Sequence, residues 1–133
     1  GQLDIGIIRS YDVDPYCEQV ADMFNESWVY QDWKFKAHTA DCNKLDIKSA
    51  PPDLLINTST EHFDSFDWWH RIPKGTVVAL QGNNMIHNDH YTHSTCLAEF
   101  VAQFPVTEQL YAGEKQFTYP DWRFTRYMLI GVK

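Results

Sequence analysis

The spacing of apolar residues changes several times along the chain, and each spacing predicts a type of element. Mainly apolar runs at residues 5–11, 54–56 and 76–80 predict buried strands, because a strand covered on both faces carries no polar alternation. At residues 33–39 apolar and polar positions alternate. Alternation with a period of two predicts a strand with one covered face, placed near the outside of a sheet.

Apolar residues three or four positions apart predict amphipathic helices between these strands. The first helix begins at Pro15, because proline lacks the N–H that would be unpaired in the first turn. A second, shorter helix is predicted over residues 63–72. A third ends before Pro105 and takes Ser94 or Thr95 as its N-cap.

The last two apolar segments, residues 109–119 and 122–132, flank a Pro-Asp turn and predict an antiparallel hairpin. Strands that alternate with helices give a mainly parallel sheet with helices on both faces. The chain is too short for two domains of ordinary size. We therefore predict a single α/β domain over residues 1–133, doubly wound, with a mainly parallel sheet that ends in the hairpin.

Composition narrows the classes of function. A formal net charge of -7, without a basic stripe, excludes a phosphate backbone as the main partner. Three separated cysteines without a CxxC pair favour reduced thiols in the cytoplasm. No apolar stretch reaches the roughly 18 residues of a membrane span. We expect a cytoplasmic protein without nucleic-acid or membrane partners.

The order of the elements, together with the residues at the strand ends, resembles the class I S-adenosylmethionine-dependent methyltransferases, whose sheet also finishes with an antiparallel hairpin. The motifs are individually short, and their order along the chain carries the resemblance. The four stretches are Ser10-Tyr11-Asp12-Val13-Asp14-Pro15, Thr39-Ala40-Asp41-Cys42, Asp53-Leu54-Leu55-Ile56-Asn57-Thr58-Ser59-Thr60-Glu61-His62, and Ile72-Pro73-Lys74-Gly75-Thr76-Val77-Val78-Ala79-Leu80.

The resemblance implies S-adenosylmethionine as cofactor and assigns residues to its adenosine half. In the family an acidic residue after the second strand accepts hydrogen bonds from the ribose hydroxyls, and Asp12 matches it. Asp14 is the alternative, or a charge that stabilises the start of the following helix. Asp41, followed by Cys42, matches the residue that accepts from the adenine amino group. Both carboxylates also suit an ordinary loop or helix start.

At the end of the strand at 54–56, the resemblance places Asn57 and Thr58 near the methionine half of the cofactor. Open α/β sheets bind their ligands at this edge. The loop over residues 57–62 is equally typical of a turn with a helix cap. The methyl acceptor implied by the charge is a small molecule or a protein.

The family opens with a strand and a glycine-rich loop of the GxGxG kind, and the sequence lacks that pattern. In the family this strand lies in the middle of the sheet. We therefore expect a domain truncated at its N-terminus, in which the strands at 5–11 and 54–56 either pair directly or accept a strand from another chain. The second arrangement predicts a homo-oligomer or a missing N-terminal segment as partner. A non-catalytic, partner-binding member of the fold is the alternative function.

His87, His90 and His93 recur every third residue with Asp89 among them, and imidazoles with a carboxylate are good metal ligands. A metal-dependent enzyme that uses this loop is a further alternative. A spacing of three does not place side chains on one face of a loop or strand, which favours a solvated loop. Trp68 and the adjacent tryptophan are typical of a core, although such a pair can also stack on a planar ligand.

Overall fold

A computed structural model describes residues 4–133 of the protein. The chain divides into two compact units between Leu45 and Asp46. Each unit is a small α/β structure with its own sheet. Whether the two act as the single domain predicted above stays a prediction.

The first unit contains a parallel pair of strands and two helices. β1 spans Ile8–Asp12 and β2 spans Phe35–Thr39, with Asp12 opposite Thr39. Between them lie α1, Pro15–Phe24, and the short α2, Glu26–Val29. The crossover from β1 through α1 to β2 is the unit that a parallel pair requires. The predicted helix start at Pro15 is confirmed.

Charged side chains hold α1 against β2. The Asp22 carboxylate forms an ion pair with Lys36 and accepts a hydrogen bond from the Ala37 N–H at 2.9 Å. Glu18 accepts from the Thr39 N–H at 2.7 Å and from its hydroxyl at 2.6 Å. The Lys36 ammonium lowers the pKa of Asp22, and the Thr39 bonds lower the pKa of Glu18. The helix is therefore tied to the strand by polar contacts.

Apolar burial is sparse in this unit. β2 follows the predicted alternation, because Phe35 and Ala37 are buried while Lys36 and His38 are half-buried. β1 is different: Ile8 is 44% exposed and Tyr11 is 41% exposed. No residue of α1 is buried. The prediction of a buried strand at residues 5–11 is therefore wrong, and the strand begins only at Ile8.

The second unit is built on a four-stranded mixed sheet. β3 spans Leu54–Asn57, β4 spans Val77–Asn83, β5 spans Glu108–Thr118 and β6 spans Arg123–Val132. The strand order is β3-β4-β6-β5. β3 and β4 are parallel, whereas β6 is antiparallel to both of its neighbours. The terminal hairpin is confirmed.

An aromatic core covers one face of this sheet. α4, Leu97–Gln103, leads into Phe104, which is fully buried. Its ring lies 5.4 Å from that of Phe100 and 5.4 Å from that of Trp69, measured between centroids. Trp68 is also buried, so the predicted core role of the tryptophan pair is confirmed.

Several local predictions for this unit need correction. Of the helix predicted over residues 63–72, only α3 over Asp67–Arg71 is present, and a separate 3₁₀ turn over Thr60–His62 precedes it. The N-cap of α4 is Cys96, while Thr95 donates its N–H and its hydroxyl proton to the Glu99 carboxylate. Residues 54–56 do form a strand, but Ile56 is 64% exposed. A continuous apolar run cannot reveal whether anything packs on it.

The described strands thus form a parallel pair and a mixed sheet, in place of the mainly parallel, doubly wound sheet predicted from the sequence. β1 pairs with β2 in the first unit and β3 pairs with β4 in the second, and the predicted direct pairing of residues 5–11 with 54–56 stays a prediction. The alternative, a strand supplied by another chain, stays a prediction. No helix within residues 4–133 has the length and apolar character to cross a membrane.

Candidate functional site

Asp12 ends β1 and Asp14 follows it, and their carboxylates accept different hydrogen bonds. Asp12 Oδ1 accepts a hydrogen bond from the Asp14 N–H at 2.9 Å. Asp14 Oδ1 accepts from the Tyr16 N–H at 2.9 Å and is the N-cap of α1. Asp14 therefore serves the helix start, the alternative that its sequence position left open. Asp12 is the exposed carboxylate at the carboxyl end of the strand.

The loop after β2 brings Asp41 and Cys42 beside Asp12. The Ala40 N–H donates to the Asp12 carbonyl at 2.8 Å, which joins the two strand ends. Lys44, with its Nζ 2.8 Å from Asp41 Oδ2, lowers the pKa of Asp41. Burial raises the pKa of the Cys42 thiol, and the charges of Asp41 and Asp12 raise it further. The Cys42 thiol therefore stays protonated at neutral pH.

The second unit carries the residues predicted after β3. Asn57 Oδ1 accepts from the Ser59 N–H at 3.0 Å, which forms a tight turn at the end of the strand. This bond leaves the amide NH₂ of Asn57 as a donor. Thr58 is exposed. The turn predicted over these residues is present, and both side chains lie at the carboxyl end of β3.

The 3₁₀ turn that follows is bound to the loop after β4. Thr60 is buried and donates its hydroxyl proton to the Gln81 carbonyl at 2.8 Å. The Glu61 carbonyl accepts from the Tyr91 N–H at 2.8 Å and from the Thr92 N–H at 3.3 Å. These bonds hold the histidine-containing loop over the 3₁₀ turn.

Glu61, His62 and His90 meet at this junction. One potential ligand atom from each lies within 4.8 Å of the other two, and this is the only such group of three found within residues 4–133. Glu61 is buried, His90 half-buried and His62 exposed. The histidine spacing suggested a set with His87 and His93, but neither belongs to the group. Only His90 among the evenly spaced histidines reaches it.

Sequence reasoning missed Glu61 because His90, the residue that completes the group, lies in a different loop. The available signal was an apolar run followed by a polar loop that contains an adjacent glutamate and histidine. The third member is supplied by a loop far along the chain. Its position depends on the backbone bonds to Glu61 rather than on any local motif.

The fold is similar to that of solved methyltransferase structures. The N-methyltransferase NodS of Bradyrhizobium japonicum WM9 aligns with a TM-score of 0.63 over 96% of this chain and 74% of NodS, at 9% identity. Its complex with S-adenosyl-L-homocysteine gives 0.62 over 94% of this chain and 66% of that one, also at 9% identity.

TehB of Haemophilus influenzae gives a TM-score of 0.65 at 11% identity, over 96% of this chain and half of TehB (50%). The fold is class I methyltransferase-like. At these identities the likeness concerns the fold alone. No protein-family model matches the chain, and no curated protein is similar enough in sequence to match.

The carboxylates of Asp12 and Asp41 place hydrogen-bond acceptors beside each other in the first unit. Asp12 and the loop containing Asp41 follow neighbouring parallel strands, where ligands of open α/β sheets bind. An ionised carboxylate has acceptor capacity for about four hydrogen bonds, so Asp41 can accept from an amino group in addition to Asn43 and Lys44. These carboxylates can therefore accept hydrogen bonds from hydroxyl or amino groups of a ligand.

Proposed function

We propose that the protein is an S-adenosylmethionine-dependent methyltransferase. The observation that carries the proposal is the parallel β1–β2 pair, which ends in the exposed Asp12 and in the loop of Asp41 and Cys42. The fold likeness to NodS, which has been solved with S-adenosyl-L-homocysteine, supports it. The cofactor supplies a methyl group already activated by its sulfonium, so the protein has to bind and orient rather than activate.

Each candidate residue then has a defined role. Asp12 accepts hydrogen bonds from the two ribose hydroxyls, and Asp41 accepts from the adenine amino group. Cys42, protonated because its pKa is raised by burial first and then by the neighbouring charges, offers a neutral surface beside the base. For Asn57 and Thr58, which lie in the second unit, contact with the methionine part stays a prediction from the resemblance. Asp14 acts indirectly, because its cap orients the start of α1.

The acceptor is a small molecule or a protein, since a net charge of -7 repels nucleic acid. Cys17, Cys42 and Cys96 are free cysteines, and a reducing compartment such as the cytoplasm is part of the proposal. The proposal therefore names two classes of methyl acceptor, small molecules and proteins.

Calorimetric titration with S-adenosylmethionine and S-adenosyl-L-homocysteine tests the proposal. We expect the wild type to bind both and Asp12→Asn to bind about 10- to 100-fold more weakly, since a hydrogen bond to a charged group contributes about 1.5–3 kcal/mol. Asp32→Asn is the matched control, because it removes one charge from the same unit. Asp32 has a φ of 53°, a conformation that asparagine also adopts readily. If the wild type gives no heat of binding at millimolar cofactor, the proposed methyltransferase function is excluded.

A further inference from the structure

We propose that Glu61, His62 and His90 form a binding site for a divalent first-row transition metal ion. The proposal goes beyond the methyltransferase function and does not depend on it. Two imidazoles and one carboxylate make up a common protein donor set for zinc and for non-haem iron. Magnesium prefers oxygen ligands, so this set disfavours it.

The Glu61 carboxylate is the strongest indication of a ligand. The residue is only 3% exposed, and Oε1 accepts from the Asn83 side-chain amide. Oε2 is buried and has no hydrogen-bond partner among the described residues. A buried carboxylate oxygen without a partner is costly, and a bound cation removes that cost.

His90 is oriented as a metal ligand requires. Its Nδ1 lies 2.8 Å from the Met85 carbonyl oxygen. A carbonyl only accepts, so Nδ1 carries the proton and Nε2 keeps a free lone pair. Histidine ligands commonly donate their second ring nitrogen to a backbone carbonyl, which fixes the tautomer and the direction of the ring.

Hydrogen bonds behind the proposed ligands hold two of them in place, as residues around a metal site commonly do. Asn83 holds one oxygen of Glu61 and also accepts from the Met85 N–H at 2.8 Å through Oδ1. Met85 in turn holds His90. Asn83 is 4% exposed, so its bond to Glu61 is buried, and this chain of contacts connects two of the three proposed ligands.

The geometry needs only a small adjustment to close around an ion. The three ligand atoms lie within 4.8 Å of one another, whereas metal bonds of about 2.1 Å in a tetrahedral site separate ligands by roughly 3.4 Å. The rings of His62 and His90 already meet edge to face, with centroids 4.8 Å apart. His62 is exposed, so rotation of its side chain can shorten the distances without disturbing the core.

The site lies at the carboxyl ends of two parallel strands. Glu61 and His62 follow β3, and His90 follows β4. Three protein ligands leave a tetrahedral ion with one open position. Water or an oxygen donor of a ligand, such as a phenolate or carboxylate, can occupy it, and the ion would polarise that oxygen.

Titration of untagged, metal-free full chain with Zn²⁺ tests the proposal without any cofactor. We expect one equivalent to bind, with at least a tenfold loss of affinity in Glu61→Gln, His62→Gln and His90→Gln. The amide introduced by Glu61→Gln keeps an oxygen that can accept from Asn83, so this substitution removes charge with little change in shape. His87→Gln and His93→Gln are matched controls from the same loop and should bind as the wild type does.

Co²⁺ absorption of the wild type supplies a second measurement that needs no variant. Visible d–d bands of a four- or five-coordinate ion without a thiolate charge-transfer band are expected, because no cysteine belongs to the group. Circular dichroism establishes that each variant is folded, and the exposed His62 decides the matter if a buried substitution fails to fold. The proposal is overturned if Zn²⁺ does not bind below about 1 mM, if all three variants bind normally, or if a thiolate band appears. These experiments contain no S-adenosylmethionine. Failure of the metal-site proposal can therefore be distinguished from failure of the proposed methyltransferase function.

Discussion

Gly82 in β4 is a position where adding one methyl group should measurably weaken the second unit. A Cβ built there lies 2.7 Å from Phe100 Cε2 and 2.9 Å from Thr60 Oγ1. Favourable contacts between carbon atoms require about 3.5–4.0 Å. Phe100 is 1% exposed and stacks on Tyr127 at 5.8 Å, so its ring has little room to retreat.

The expected cost of Gly82→Ala follows from these contacts. Overpacking a closed core costs about 1–3 kcal/mol. If Thr60 moves instead, its 2.8 Å bond to the Gln81 carbonyl is lost, which costs about 1 kcal/mol. We therefore expect a loss of about 2–3 kcal/mol in the free energy of unfolding, or roughly 5–10 °C in melting temperature for a chain of this size.

Urea unfolding followed by circular dichroism measures the effect. Gly6→Ala is the matched control, since a Cβ there meets nothing within 4 Å, and its stability should stay within about 0.5 kcal/mol of the wild type. Phe100→Leu should relieve part of the clash, so the double variant with Gly82→Ala should be more stable than the sum of the single effects. Wild-type stability of Gly82→Ala, or simple additivity in the double variant, would refute the packing described for β4.

The remaining predictions concern titration in the first unit. The pKa values of Glu18 and Asp22 lie below their usual 4.5 and 3.8, so their stabilisation is complete above about pH 5 and is lost as the pH falls through the folded-state values. The urea midpoints of wild type and Asp22→Asn should therefore converge in acid, and a gap independent of pH would contradict this. The pKa of Cys42 is raised above 9.0, so in a variant with Cys42 as its only cysteine, alkylation by iodoacetamide should keep accelerating above about pH 9; a plateau reached by about pH 8.5 would exclude the described environment.

The elements predicted well from the sequence have local causes. The start of α1 follows from Pro15, whose ring suits the first helical turn. The alternation in β2 follows from its one covered face, and the hairpin β5–β6 follows from two strand-like segments around a Pro-Asp turn. The order of these elements also supported the fold likeness later found with the solved methyltransferases.

The weaker predictions depended on what packs against a segment. Residues 54–56 have the composition of a buried strand, yet Leu54 is 40% exposed and Ile56 is 64% exposed. The apolar spacing of Phe63 and Phe66 suggested one helix, but α3 begins only at Asp67, after a separate 3₁₀ turn. Burial is a property of neighbouring chain segments, so composition alone overstates it.

The sequence by itself determined the type and order of most elements, the acidic residues after β1 and β2, and the excess of negative charge, because each is local or additive. Only the tertiary structure decided which of the evenly spaced histidines lies close to other potential metal ligands. Evenly spaced histidines pointed to His87, His90 and His93, whereas the backbone bonds of the loop to Glu61 place His90 alone beside Glu61 and His62. A ligand set requires atoms within a few ångströms, and for residues far apart in sequence that distance is set by the packing of the chain.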